Sequence, residues 1–145
     1  MERPYADLEP LLFKSGIRLP AHLRLQHMHL DPDFKYLTYG DQGERAKQLA
    51  RKLGKGDIVA LYAGLADLRG GQRLIYAIIG LFTVADLIPA TSVSVEARDT
   101  NAHSRRVLAD SAQDLIVRGQ PGMSGRLERC LPIGEWRDRA YRVRP

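Results

Sequence analysis

A chain of 145 residues with 44% apolar side chains can bury roughly 70% of its unfolded surface around one core, which excludes an intrinsically disordered class. Its longest apolar run, residues 74–87, is shorter than the ~18 residues that cross a bilayer, so no membrane-spanning helix is expected. The formal charge of +5, with 17 arginines among the 22 basic residues, permits phosphate binding and equally describes a solvated surface.

The first residues lack the basic-then-apolar layout of a secretory signal. One cysteine, Cys130, excludes an internal disulfide and a multi-cysteine metal site. A cytoplasmic protein is the resulting expectation. Residues 1–21 read as irregular, punctuated by Pro4, Pro10 and Pro20. Residues 21–30 alternate apolar and polar side chains, which predicts a strand with His27 and His29 on one face. Asp31-Pro32 ends it, because proline lacks the ladder donor and restricts the residue before it. A loop dense in aromatics follows, with Phe34, Tyr36 and Tyr39.

Asp41 and Glu44 have capping-box spacing, and Ala46, Leu49, Ala50 and Leu53 recur at i, i+3, i+4 and i+7. This predicts a helix opened by Asp41 and stopped by Gly54 in a left-handed cap. The organising stretch is residues 56–87. Its runs 58–63 and 74–84 are rich in β-branched and aromatic residues, which predicts two paired strands reversing near Gly70-Gly71. Gly80, inside the second run, predicts a bulge, a bend or a close approach. Residues 91–97 alternate weakly as a short strand, and Asp99-Thr100 can cap a helix over 101–111. Residues 115–117 read as a buried strand and 118–125 as a loop. Residues 126–133 fit one helix face through Leu127, Cys130 and Leu131, and a basic, mobile tail follows Trp136. The sum is an α+β fold: a small curled, mostly antiparallel sheet or open barrel with two or three flanking helices. One domain spans 1–145, with a core at 22–133, an irregular segment at 1–21 and a basic tail at 134–145.

His27, His29 and Asp31 resemble the start of a metal site. A metal needs three or more donors with support behind them, and only His22 and His103 remain among the histidines. Structural or hydrogen-bonding roles are therefore favoured, with no metal and no cofactor expected. No G-x-S-x-G elbow frames a serine, and Cys130 lies on an apolar face. His29, Asp31, Asp41 and His103 are the acid–base candidates, since histidine titrates near neutrality and a carboxylate can orient it. The loop 118–125 could offer backbone donors and Ser124 to an anion between Arg118 and Arg126, against the alternative of a plain surface turn. Phe34, Tyr36, Tyr39 and Tyr62 suit a stacked nucleobase or, equally, half of the core.

Five segments carry a more specific signal: HLDPDFKYLTYGDQ (29–42), KGDIVALYAGL (55–65), LIYAIIGLFTV (74–84), NAHSRR (101–106) and IVRGQPGMSGRLERCLPI (116–133). Together, over about residues 22–133, they resemble the nucleotide-modification-associated domains of the third class, which accompany DNA-modification systems of bacteria, archaea and phages. More loosely, the central hairpin is similar to that of the PUA-like group, which includes the EVE, ASCH and YTH domains. The resemblance implies work near modified DNA or nucleotides, without saying whether the modification is made, read or removed. As a reader of a modified base, the chain would stack Tyr39 and Tyr62, read polar edges with His29, Asp31 and Asn101, and hold phosphate with Arg105, Arg118, Ser124 and Arg126. DNA is favoured over RNA as the partner. The alternative is a hydrolase, transferase or lyase of a base-modification pathway, using His29, Asp31, Asp41 and His103. A third reading is an interaction subunit whose basic tail docks a partner modification enzyme.

Overall fold

The computed structural model describes residues 3–66, 74–106, 108–109, 112–137 and 139–143. The fold is α+β, with an open, antiparallel sheet of six strands and a few flanking helices. The strands are β1 (Thr38–Asp41), β2 (Ile58–Ala66), β3 (Leu74–Pro89), β4 (Leu115–Gly119), β5 (Gly125–Arg137) and β6 (Ala140–Val143). They run in the order β1-β4-β3-β5-β6, with β2 added on β3. The helices are α1 (Glu9–Lys14), α2 (Gly43–Lys52) and the single turn α3 (Ala102–Arg105). None among the described residues is long and apolar enough to cross a membrane.

The 16 residues of β3 organise the sheet. Its first part pairs with β2 from Leu74 to Thr83 and with β5 from Ile75 to Leu81, and its last part pairs with β4 from Val84 to Pro89. A strand that changes neighbours along its length must bend, and the register shifts between Ile78 and Gly80 and again between Val84 and Asp86. Gly80 fills the role its position suggested. A Cβ there would lie 2.3 Å from the Phe34 ring and 2.8 Å from the Gly125 carbonyl oxygen. Phe34 in turn meets the buried Phe82 edge-on, with ring centroids 5.8 Å apart. The core gathers around β3 and β4: Phe82, Val84, Ile116 and Val117 are the largest apolar side chains that are fully buried.

The two central strands form as the β-branched runs predict, while the Gly70-Gly71 reversal lies outside the described residues. Several other expectations fail, each for a tertiary reason. Residues 21–30 form no strand. Ala21–Leu23 is a 3-10 turn, Leu25 points into solvent, and the His27 backbone forms an isolated bridge to Pro4 in place of a ladder. Alternation makes a strand only where a sheet edge accepts it. Residues 126–133 are not helical: they lie in β5, because the long free edge of β3 offers them a ladder. The tail after Trp136 contains β6, which pairs with β5 from Gly134 to Arg137. The segment 91–97 and the described residues of 101–111 yield 3-10 turns and the four-residue α3 in place of a strand and a longer helix. The α2 helix stands where its periodicity places it, but Asp41 ends β1 instead of capping it, Gln42 occupies the cap position, and Leu53 leaves the helix in extended conformation.

Gly80→Ala is expected to cost about 1–3 kcal/mol, because the new methyl meets backbone as well as ring and cannot be relieved by a rotamer change. Urea unfolding should show a lower midpoint at unchanged slope. Gly64→Ala, whose Cβ would meet only side-chain atoms, the flexible end of Leu74 at 3.3 Å and the Tyr76 ring at 3.5 Å, should stay within about 0.5 kcal/mol.

Candidate functional site

The site grows around Asn101, which is wholly buried at the entry to α3. Its Oδ1 accepts from the backbone N–H of His103 at 2.8 Å. Its Nδ2 donates to Asp31 Oδ1 at 3.0 Å and to Thr38 Oγ1 at 3.2 Å. A buried amide left unpaired costs about 1–3 kcal/mol, so this side chain holds three chain segments to one place. Gly40, on the same face of β1 as Thr38, completes the packing. A Cβ there would sit 2.5 Å from His103 Cδ2 and 2.6 Å from Asn101 Oδ1.

Two ionisable side chains are set by this frame. Asp31 Oδ1 accepts from Asn101 and from the Gly40 N–H at 2.7 Å, which leaves Oδ2 aimed at His103 Nε2, 3.7 Å away. On the far side of the imidazole, His103 Nδ1 lies 2.8 Å from Asp114 Oδ1. Arg106 Nη2 donates to that same Asp114 oxygen and also lies 2.8 Å from Nδ1. A carboxylate can only accept, so the 2.8 Å contact with Asp114 assigns the proton between them to His103 Nδ1. Nε2 then presents its lone pair to the Asp31 side. The side chains of His103 and Asp31 are only 10% and 8% exposed. Burial pushes the Asp31 pKa above the ordinary carboxylate value, against the pull of the Gly40 N–H, the Asn101 amide and the imidazoles of His103 and His29.

His29 closes the cluster from the solvent side. Its exposed ring stands edge-on to His103, with centroids 5.8 Å apart, and donor atoms of His29, Asp31 and His103 all lie within 4.8 Å of one another. Beside it opens a cavity of about 230 Å³ lined by His27, Met28, His29, Ala102, Arg105 and Arg106.

The opposite face of β1 carries a second feature. Tyr39 and Asp41 point away from Asn101, and the Tyr39 hydroxyl donates to Asp41 Oδ2 at 2.5 Å. With Tyr62, Arg45, Gln48 and Lys52 they line an open hollow of about 420 Å³. The structure thus brings Tyr39 and Tyr62 together, and separately gathers His29, Asp31, His103 and Asn101, with β1 between the two groups. Asn101 faces inward with its amide occupied.

The four residues assigned to phosphate do not converge. Arg118 forms a two-pronged pair with Asp86 at 2.8 and 2.5 Å, and this holds the Asp86 pKa below its ordinary value. Ser124 Oγ accepts from the Thr83 N–H at 3.0 Å inside the β4–β5 connection. Arg105 lies along Asp33 and Asp99, and Arg126 is exposed on β5. Asp114 is the partner that sequence reasoning missed as a site residue. The one local signal is an acid placed immediately before the apolar run of β4.

An α+β domain with a histidine–aspartate cluster at the edge of an open sheet is the class that fold and site define. The family model of nucleotide modification associated domain 3 matches residues 2–143, and the chain belongs to this family. The match takes in the first helices and β6, beyond the 22–133 over which the resemblance is legible. No curated protein and no solved structure matches the chain.

Asn101→Ala is expected to destabilise the fold by about 2 kcal/mol or more, since it strands buried partners. Arg118→Ala, which removes a half-exposed pair, should cost less than about 1 kcal/mol by the same urea assay. Burial, and then the bond to Asp41, raise the Tyr39 pKa well above that of a free phenol. A folded pKa above the unfolded one gives stability that is complete below about pH 10 and lost as pH rises through the folded value. Unfolding measured from pH 8 to 11.5 should therefore fall less steeply in Tyr39→Phe than in the wild type.

Proposed function

We propose that the chain is an enzyme of nucleotide modification, acting on a base or nucleotide at the centre formed by His29, Asp31 and His103. The observation that carries this reading is the way each reactive side chain is held from behind. Asp31 is gripped through Oδ1 and His103 through Nδ1, so Oδ2 and Nε2 face each other beside an opening. Groups anchored in this way are preorganised for proton transfer, because little motion remains to be lost at the moment of reaction. The carboxylate of Asp114 behind His103 orients the ring and stabilises positive charge that develops on it. Asp31 Oδ2 and His103 Nε2 would run the acid–base chemistry themselves or through a group they hold. Arg106, about half exposed at the mouth, offers a cation to the substrate's phosphate. The substrate class rests on the family, whose description ties it to nucleotide modification.

A second reading has its own observation. The hollow between Tyr39 and Tyr62 offers two aromatic rings, with Arg45 and Lys52 beside them, which suits a stacked base in a reader of modified DNA.

Nucleoside mass spectrometry separates the two. The protein is incubated with modified and unmodified duplexes and with deoxynucleotides. The enzyme reading expects a mass change that falls by about 100-fold or more in His103→Asn and in His29→Ala. No mass change on any substrate, together with preferential binding to modified duplex that Tyr62→Ala abolishes and His29→Ala leaves intact, would replace the enzyme by the reader.

A further inference from the structure

We propose that His29, Asp31 and His103 bind one divalent transition-metal cation, coordinated by two imidazole nitrogens and one carboxylate oxygen. The proposal deepens the reading of this centre as a reaction site and rests on the same three residues.

Three features of the geometry point to a cation. The first is which atoms remain free. Asp31 spends Oδ1 on the Gly40 N–H and the Asn101 amide, and His103 spends Nδ1 on Asp114, so the unspent atoms are Oδ2 and Nε2. Those two are the pair that face each other at 3.7 Å, and His29 brings a third donor within 4.8 Å of both. Lone pairs converging in a mostly buried place repel one another unless something positive lies between them. The second feature is the support behind the donors. A metal-binding histidine characteristically gives its other N–H to a carboxylate, and ligating carboxylates are themselves hydrogen-bonded. Asp114 and the pair Gly40 and Asn101 supply both kinds of contact, with Arg106 balancing the Asp114 charge beside the Nδ1 edge of His103.

The third feature is reach. Bonds of about 2.1 Å to one ion place donors roughly 3.0–3.5 Å apart, so the 3.7 Å pair must close by about half an ångström and the widest spacing, up to 4.8 Å, by about 1.3–1.8 Å. His29 is exposed on a loop and can supply that movement by rotating its side chain. Two imidazoles and a carboxylate favour Zn²⁺, Fe²⁺ or a neighbouring transition ion over Mg²⁺ or Ca²⁺, which prefer sets made only of oxygen. Three protein ligands leave further coordination positions toward the cavity at His29, where a water or substrate atom can bind.

The test uses the full chain stripped with a chelator and titrated under anaerobic conditions with Zn²⁺, Fe²⁺, Co²⁺ and Mg²⁺. Binding is followed by calorimetry and metal content by elemental analysis. One Zn²⁺ or Fe²⁺ per chain is expected, with Mg²⁺ at least about 100-fold weaker. His29→Ala should weaken binding by about 30-fold or more while circular dichroism stays native, since that ring is exposed. Asp114→Asn should weaken it by about 10–100-fold through orientation of His103. His22→Ala should leave it unchanged. Absence of stoichiometric binding overturns the proposal, as does binding that His29→Ala and Asp31→Asn leave intact, or a preference for Mg²⁺. Metal binding without turnover would keep this site and remove the enzyme reading, and turnover with no stoichiometric metal binding would do the reverse.

Discussion

One buried amide holds the candidate site of this protein together. Asn101 has no exposed surface and meets its bonding needs through Asp31, Thr38 and the backbone of His103. Because an amide buried without partners is costly, these contacts are mutually enforcing: the loop after His29, strand β1 and the α3 turn can each take only the position that satisfies it. Gly40 is the complementary constraint, since any side chain there would occupy the space of the His103 ring. An amide and a missing methyl together set where Asp31 and His103 point.

The same strand divides the chemistry. Thr38 and Gly40 face the polar cluster, while Tyr39 and Asp41 face the hollow with Tyr62, as pleating requires of successive residues. Aromatic rings and acid–base groups that crowd together in the sequence are therefore separated by the thickness of one backbone. A base stacked between the tyrosines and a substrate atom at His103 belong to different surfaces. This is why the reader and the enzyme call on different residues and respond to different substitutions.

The arginine content also acquires a local meaning. Arg118 holds Asp86, Arg24 holds Glu9, and Arg106 holds Asp114. An arginine whose planar fork is matched to a carboxylate has those N–H groups committed, so a basic sequence does not translate directly into a phosphate-binding surface. Arg106 buttresses a buried acid while nearly half of its side chain stays exposed at the cavity mouth.

Periodicity and residue type alone determine the central strands, the α2 helix and the buried run of β4, because those features depend on neighbours a few residues away. The motif strings mark the family, and they place His29, Asp31, Asn101 and His103 among the residues of interest. Tertiary structure alone decides the rest. Residues 126–133 carry a helical face yet become a strand because β3 has an edge to extend, and residues 21–30 alternate yet find no edge to join. Asp31 and Asn101 meet across 70 positions, and Asp114 reaches His103 only because β4 starts beside α3. Nothing local encodes which oxygen of a carboxylate is spent and which is left free, because that is settled by the donors the folded chain brings to it.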